Sequence, residues 1–290
     1  MNIIIGLLPA LLWGVGPLLA SKIGGKAINQ LVGAAYGQFL VGIVIYLFTR
    51  PQISFYDFLW PFLGGAAWSV AQLFQFMSFE KMNVSTAMPI STGLQLIEIP
   101  LAGVIFWGDW GSPEAKLLGF MSIGLLIIGT CFTSFKDGTV ERPKMDYKSG
   151  LTLLIVGSFG YTACSVFPNI THVSGLVGLM PQTLGMGLGG LILGLFMQIK
   201  DKEKVLFTNF TLKSIIIGLA GGLGTLAYLT SLNLNGVANA FPLTQMNVVV
   251  STIGGILILK ERKNKKELTF TLLGLGLIIV AAVIIGGLSK

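Results

Sequence analysis

Charge is scarce in this chain: Asp, Glu, Lys and Arg make up 11% of 290 residues, against 53% hydrophobic residues and a mean hydropathy of +0.81. A soluble domain carries roughly 25% charged residues, so this composition excludes a water-exposed globule. Histidine is scarcer still, with His172 alone, and the two cysteines, Cys131 and Cys164, have no metal or redox spacing. Both cysteines fall inside apolar runs and are expected to be packing residues. No G-x-x-x-x-G-K-[ST] phosphate loop is present, which excludes ATP hydrolysis by that route. Clustered acids, a His pair or a nucleophile beside a base are also missing, so a membrane-embedded enzyme is disfavoured. No metal and no cofactor are expected.

Apolar runs are what the chain has instead. About 20 residues span a bilayer, and ten such runs can be read, at 3–21, 29–48, 58–79, 84–107, 115–134, 149–168, 174–199, 212–231, 236–259 and 269–288. The expected fold is therefore an all-α integral membrane protein of ten transmembrane helices, with short connections and the lipid bilayer as solvent. Residues 1–134 form a first group of five spans, 135–148 a polar connector and 149–290 a second group. Glycine supplies 39 residues, and most of them lie within the runs. In lipid, helices associate through close backbone approach at small residues, and Gly33 with Gly37, Gly185 with Gly189, and Gly190 with Gly194 have that spacing. Gly185, Gly187 and Gly190 also satisfy G-x-G-x-x-G, but no strand precedes them and no dinucleotide site is implied.

Sixteen of the 19 basic residues fall in loops that follow odd-numbered spans. By the positive-inside rule those loops are cytoplasmic, and both termini are expected to be extracellular at the cell membrane. The net charge of +7 then reports topology and not a nucleic-acid partner. Met1-Asn2 leads into the first run without a basic segment, which reads as a retained helix and not a cleaved signal.

The chain also repeats itself. Residues 83–92, NVSTAMPIST, match 236–245, GVANAFPLTQ, at an offset of 153, with Val84, Ala87 and Pro89 recurring as Val237, Ala240 and Pro242. Leu31-Val32-Gly33 recurs as Leu176-Val177-Gly178, and Leu118-Gly119 as Leu273-Gly274. A five-helix unit that is duplicated must cross the membrane the other way round, and loop charges should invert. They do: 108–116 holds one basic residue and 260–267 holds five. Two inverted five-helix repeats suit a transporter that alternates access around a central site.

The Val-Ser-Thr-Ala-Met-Pro segment at 84–89, Gly108-Asp109 after the fourth span and Lys260-Glu261 after the ninth carry a resemblance to a known group. Over essentially its whole length the chain resembles the glucose/ribose porter family of the drug/metabolite transporter superfamily. That resemblance implies a secondary transporter importing a small-molecule sugar, glucose first among them, coupled to the proton. Related folds also export drugs and metabolites, and export is the alternative reading; oligomeric state is left open.

Glu98 is an ionisable residue near the middle of the fourth span. A charge at that depth costs a few kcal/mol and usually faces a cavity or an ion pathway, so Glu98 is the candidate proton-coupling residue. Ser91, Gln95 and Glu98 share a helical face, and the repeat sets Thr244, Val248 and Ser251 opposite them. Candidate substrate-binding residues are Trp13, Trp68, Gln72, Gln75, Ser91, Gln95, Asn239, Thr244, Gln245, Asn247 and Ser251. Amides both donate and accept, as a ring of sugar hydroxyls requires, while Trp13 and Trp68 could pack an aromatic face on the sugar. Helix-to-helix hydrogen bonding is the competing role for each polar residue. Pro89 and Pro242 free the carbonyls four residues back and mark a pair of bends. Trp60, Trp107 and Trp110, at span ends, read as interfacial anchors.

Overall fold

The computed structural model describes residues 3–108, 110–137, 145–171, 175–235, 244 and 246–288. Among them, ten α-helices follow one another: α1 (Ile3–Ile23), α2 (Ala27–Thr49), α3 (Phe55–Met82), α4 (Val84–Ala102), α5 (Pro113–Thr133), α6 (Tyr147–Ile170), α7 (Gly175–Asp201), α8 (Asn209–Asn235), α9 (Asn247–Leu257) and α10 (Lys265–Gly287). A π-turn, Gly103–Trp107, extends α4 and ends at Gly108, whose φ of 70° suits a residue without a Cβ. Eight of these helices are long and apolar enough to cross a membrane. Of the other two, α3 is long but carries Gln72, Gln75, Glu80 and Lys81, and α9 has 11 residues.

Helix starts are written locally. Ser54 accepts from the Asp57 N–H, Ser112 from Ala115 with Pro113 in the first turn, and Asp146 from Ser149. The Ser149 bonds hold the Asp146 carboxyl below the usual carboxylate range. Asn264 and Glu267 make a reciprocal capping box at α10.

The helices pair in a cross-linked pattern. α3 lies on α6 and α7; α8 lies on α1 and α2; α2 meets α7, α5 meets α10, and α4 meets α6 and α9. Glycine sets the closest approaches. A Cβ on Gly37 would collide with the Ile215 carbonyl and one on Gly218 with Ala34, while a Cβ on Gly185 would collide with Phe62 and one on Gly65 with Gln182. Of the glycines expected to mediate contacts on α2 and α7, Gly33, Gly37 and Gly185 meet backbone, whereas Gly189, Gly190 and Gly194 meet side chains. One buried cluster includes Leu31, Trp68, Phe76 and Met82, and a second includes Leu96, Leu126, Val248 and Ile278. Large apolar side chains such as Phe48, Phe106, Ile192 and Phe196 point outward, a surface that lipid accepts and water does not.

Two expectations need correction. Trp110 is not an interfacial anchor: it is 2% exposed, its ring fills the space left by Gly119 and meets Phe120 edge-on. Cys131 is not a packing residue, because it lies exposed on α5; Cys164 is buried, with Gln182 Nε2 donating to its sulfur and its carbonyl at 3.0 Å each. Trp60 is half-buried against Phe167 and Tyr56. The Trp107 side chain and His172 lie outside the described residues.

Candidate functional site

α4 is the axis of the site. Its residues Ser91, Gln95 and Glu98 recur at one to two turns, so side chains from neighbouring helices can reach all three. Toward α3, Gln72 Nε2 donates to Gln75 Oε1 at 3.1 Å, and Gln75 Nε2 donates to Ser91 Oγ at 2.8 Å. Gln95 Nε2 donates to Ser91 Oγ and to its carbonyl, both at 3.2 Å. The four side chains form one continuous polar line. Ser91 Oγ is an acceptor twice over, which leaves its own hydrogen to give.

Toward α6, Glu98 meets two hydroxyls. Thr162 Oγ1 lies 2.7 Å from Glu98 Oε2, and Ser158 Oγ lies 2.5 Å from Glu98 Oε1. Ser158 and Thr162 are one turn apart, so α6 presents both to a single carboxyl group. Ser158 Oγ is also 2.7 Å from the Ile155 carbonyl. The Ser158 hydrogen is shared between these two acceptors. Ser158 and Thr162 each donate to the Glu98 carboxyl group, one hydroxyl to each oxygen.

Between Ser158 and Thr162 stands Tyr161, which packs against the first buried cluster. Its hydroxyl is buried and has no hydrogen-bond partner among the described residues. A buried phenol without a partner is costly, and such a group is a candidate for a ligand hydroxyl.

The remaining sequence candidates separate. Trp13 donates through Nε1 to the Gly221 carbonyl at 3.0 Å and tilts against Tyr228 at 5.9 Å, which fixes it between α1 and α8. Trp68 is buried in the core of α3, one turn before Gln72. Ser251 gives its hydroxyl to its own helix, to Asn247 O at 2.9 Å and Val248 O at 3.2 Å. Asn247 Oδ1 is buried without a hydrogen-bond partner among the described residues, and Thr244 is buried. Val248 lies in the second core cluster with Leu96. Pro89 is buried within a continuous α4. Asn239, Pro242 and Gln245 lie outside the described residues. A pocket of about 210 Å³ is lined by Ser21, Gly24, Gln30, Phe76, Phe79 and Glu80. Its lining comes from the end of α1 and its connection to α2, the start of α2 and the end of α3, and includes none of the polar line on α4.

Sequence reasoning missed Ser158, Thr162 and Tyr161. The signal was a pair of hydroxyls four apart, but α6 also holds Ser149, Thr152 and Ser165, so spacing alone does not select the pair.

The profile of the family described as sugar transport protein matches residues 4–288. A glucose uptake protein, GlcU, of Bacillus subtilis is 38% identical over 99% of this chain and 98% of its own. A protein of Listeria monocytogenes named for sugar uptake is 40% identical over 99% of both chains. One of Latilactobacillus sakei named for ribose uptake is 39% identical over 97% of this chain and 96% of its own. A solved crystal structure superposes with a TM-score of 0.62 at 17% identity, over 96% of this chain and 97% of that one, a likeness of fold alone.

Proposed function

The chain belongs to the sugar transport protein family, whose members are membrane transporters and not enzymes, and from that membership we propose that it imports glucose by proton symport with Glu98 as the coupling carboxylate. One observation carries the reading: a single carboxyl group, Glu98, stands within α4 and is held by two α6 hydroxyls, Ser158 and Thr162, one on each oxygen. Protonation would turn one Glu98 oxygen from acceptor into donor, so the α4–α6 contact differs between the two protonation states. A contact of that kind lets proton occupancy bias the packing of two helices.

Sugar recognition belongs to the line Gln72, Gln75, Ser91 and Gln95, with Tyr161 and Asn247 as further polar contacts. The Oε1 atoms of Gln72 and Gln95 accept no hydrogen bond among the described residues, and the Ser91 hydrogen is still to be given. Donors and acceptors of both kinds suit a polyhydroxylated ring.

Alternating access in this reading rests on two inverted halves, 1–134 and 149–290, joined by a cytoplasmic connector at 135–148, with both termini outside. The packing pattern supports it. Exchanging the halves turns the α3–α6 pair into α8–α1 and the α3–α7 pair into α8–α2, and all four pairs are present. Gly37 against Ile215 corresponds to Gly185 against Phe62, and Gly218 against Ala34 to Gly65 against Gln182. Under that exchange Gly37 would correspond to Gly185, 148 residues on, and not follow the register of the Leu-Val-Gly match.

Uptake of labelled glucose into proteoliposomes, with and without an inward proton gradient, tests the reading in the native protein and in Glu98→Gln. Accumulation that follows the gradient and disappears in Glu98→Gln is expected. Accumulation unchanged in the variant would move the coupling site elsewhere; ribose competing better than glucose would change the substrate. Absence of uptake of either sugar would promote export.

A further inference from the structure

α4 has no cap of its own. Asn83, which precedes it, has φ 68° and makes no side-chain bond to the first turn. The free N–H groups at the start of the helix are instead met from 177 residues away: Val84 N donates to Glu261 Oε1 and Ser85 N to Glu261 Oε2, each at 2.9 Å. A carboxylate that takes two N–H groups at a helix start combines charge-assisted bonds with the favourable end of the helix dipole.

The segment after α9 is shaped for this contact. Lys260 has φ 56° and turns the chain back, the Glu261 N–H donates to Gly255 O at 3.2 Å, and a Cβ on Gly255 would stand 3.1 Å from Glu261 Oε2 and 3.2 Å from Ser85 N. The start of α4 is also held by the segment after α5, where Lys136 Nζ donates to Thr86 Oγ1 at 3.2 Å. That segment is tied in turn to α10, the Asp137 N–H donating to Glu267 Oε1 at 2.7 Å. Three connections on one face of the bundle therefore converge on the helix that carries Ser91, Gln95 and Glu98.

We infer that Glu261 is a positioning residue that latches this face shut during transport, and that opening toward it requires the two Glu261 bonds to break. The inference rests on the transport reading above, since a latch has meaning only where access alternates. Its consequence is reciprocal: weakening the latch exposes the α4 interior on the side where Lys136 meets Thr86 and closes it on the other. A residue that merely stabilises the fold loosens both sides together.

The test uses the full-length chain with Cys131→Ala and Cys164→Ala, reconstituted in vesicles of both orientations, and two single reporters. Met88→Cys lies one turn inside the latch, and Leu101→Cys one turn beyond Glu98. A membrane-impermeant maleimide is applied from each side, with and without Glu261→Gln or Glu261→Ala. Labelling of the Met88 reporter from the latch side is expected to rise on the order of tenfold in Glu261→Ala and less in Glu261→Gln, while the Leu101 reporter slows from the other side. Unchanged labelling, or a rise at both reporters, overturns the latch. If Glu261→Ala fails to fold, Glu261→Gln decides alone, because it keeps the shape and one acceptor. Labelling needs no substrate, so reciprocal labelling without sugar uptake retains the latch and overturns the sugar reading, whereas uptake without reciprocal labelling does the reverse.

Discussion

Ser158 Oγ stands 2.5 Å from Glu98 Oε1 and 2.7 Å from the Ile155 carbonyl, two acceptors for one hydrogen. Removing the hydroxyl takes away one of the two donors to Glu98 without touching the carboxyl group itself. In Ser158→Ala, gradient-driven accumulation is expected to fall roughly tenfold, the factor set by one charge-linked hydrogen bond, while sugar exchange at equal pH on both sides is largely retained. Equal loss in both assays would show that Ser158 serves folding and not coupling.

Gln75 joins the amide of Gln72 on α3 to Ser91 on α4. Gln75→Ala leaves Ser91 without one of its two donors and a vacancy in the polar line. The expected result is a KM for sugar raised about tenfold with kcat changed less than threefold, the pattern of lost binding shared by ground and transition states. Initial-rate uptake over a range of sugar concentrations measures it. A fall in kcat alone would place Gln75 in the conformational step instead.

Tyr161 separates stability from function. Because its hydroxyl is buried without a partner among the described residues, Tyr161→Phe relieves an unsatisfied group and is expected to leave thermal stability in detergent unchanged or slightly higher. Sugar affinity should drop severalfold at the same time. A variant that melts earlier and binds as before would mean that the hydroxyl is used in the fold.

Periodicity and composition made the helices legible, because an apolar run of about 20 residues has few other fates. Charge at Glu98 and the amides of α3 and α4 were legible for a related reason: polar groups are conspicuous in an apolar run. Their partners were not. Ser158 and Thr162 are ordinary residues in lipid-spanning helices, where a hydroxyl satisfies itself on the preceding turn, and only the α4–α6 contact distinguishes them. Trp110 misled because position at a span end does not reveal that Gly119 opens a slot for its ring. Glu261 was visible as one of a Lys-Glu pair, but a cap supplied from 177 residues away leaves no local pattern.

Glycine offers the sharpest contrast between packing and propensity. Gly65 on α3 and Gly218 on α8 each face a carbonyl of a crossing helix, from Gln182 and Ala34, and any side chain there must push two helices apart. Gly65→Val and Gly218→Val are therefore expected to lose about 1–3 kcal/mol of stability, the usual cost of overpacking, and by similar amounts if the two sites are equivalent. Gly124 on α5 and Gly276 on α10 have open space where a Cβ would go. There, replacement by alanine restores helix propensity, and Gly124→Ala and Gly276→Ala should gain about 0.5–1 kcal/mol. Thermal unfolding of the four variants in one detergent distinguishes the classes. Matched losses at Gly65 and Gly218 would support the two-fold arrangement of the halves, whereas a loss at only one would mean that the crossings differ in tightness despite their shared geometry.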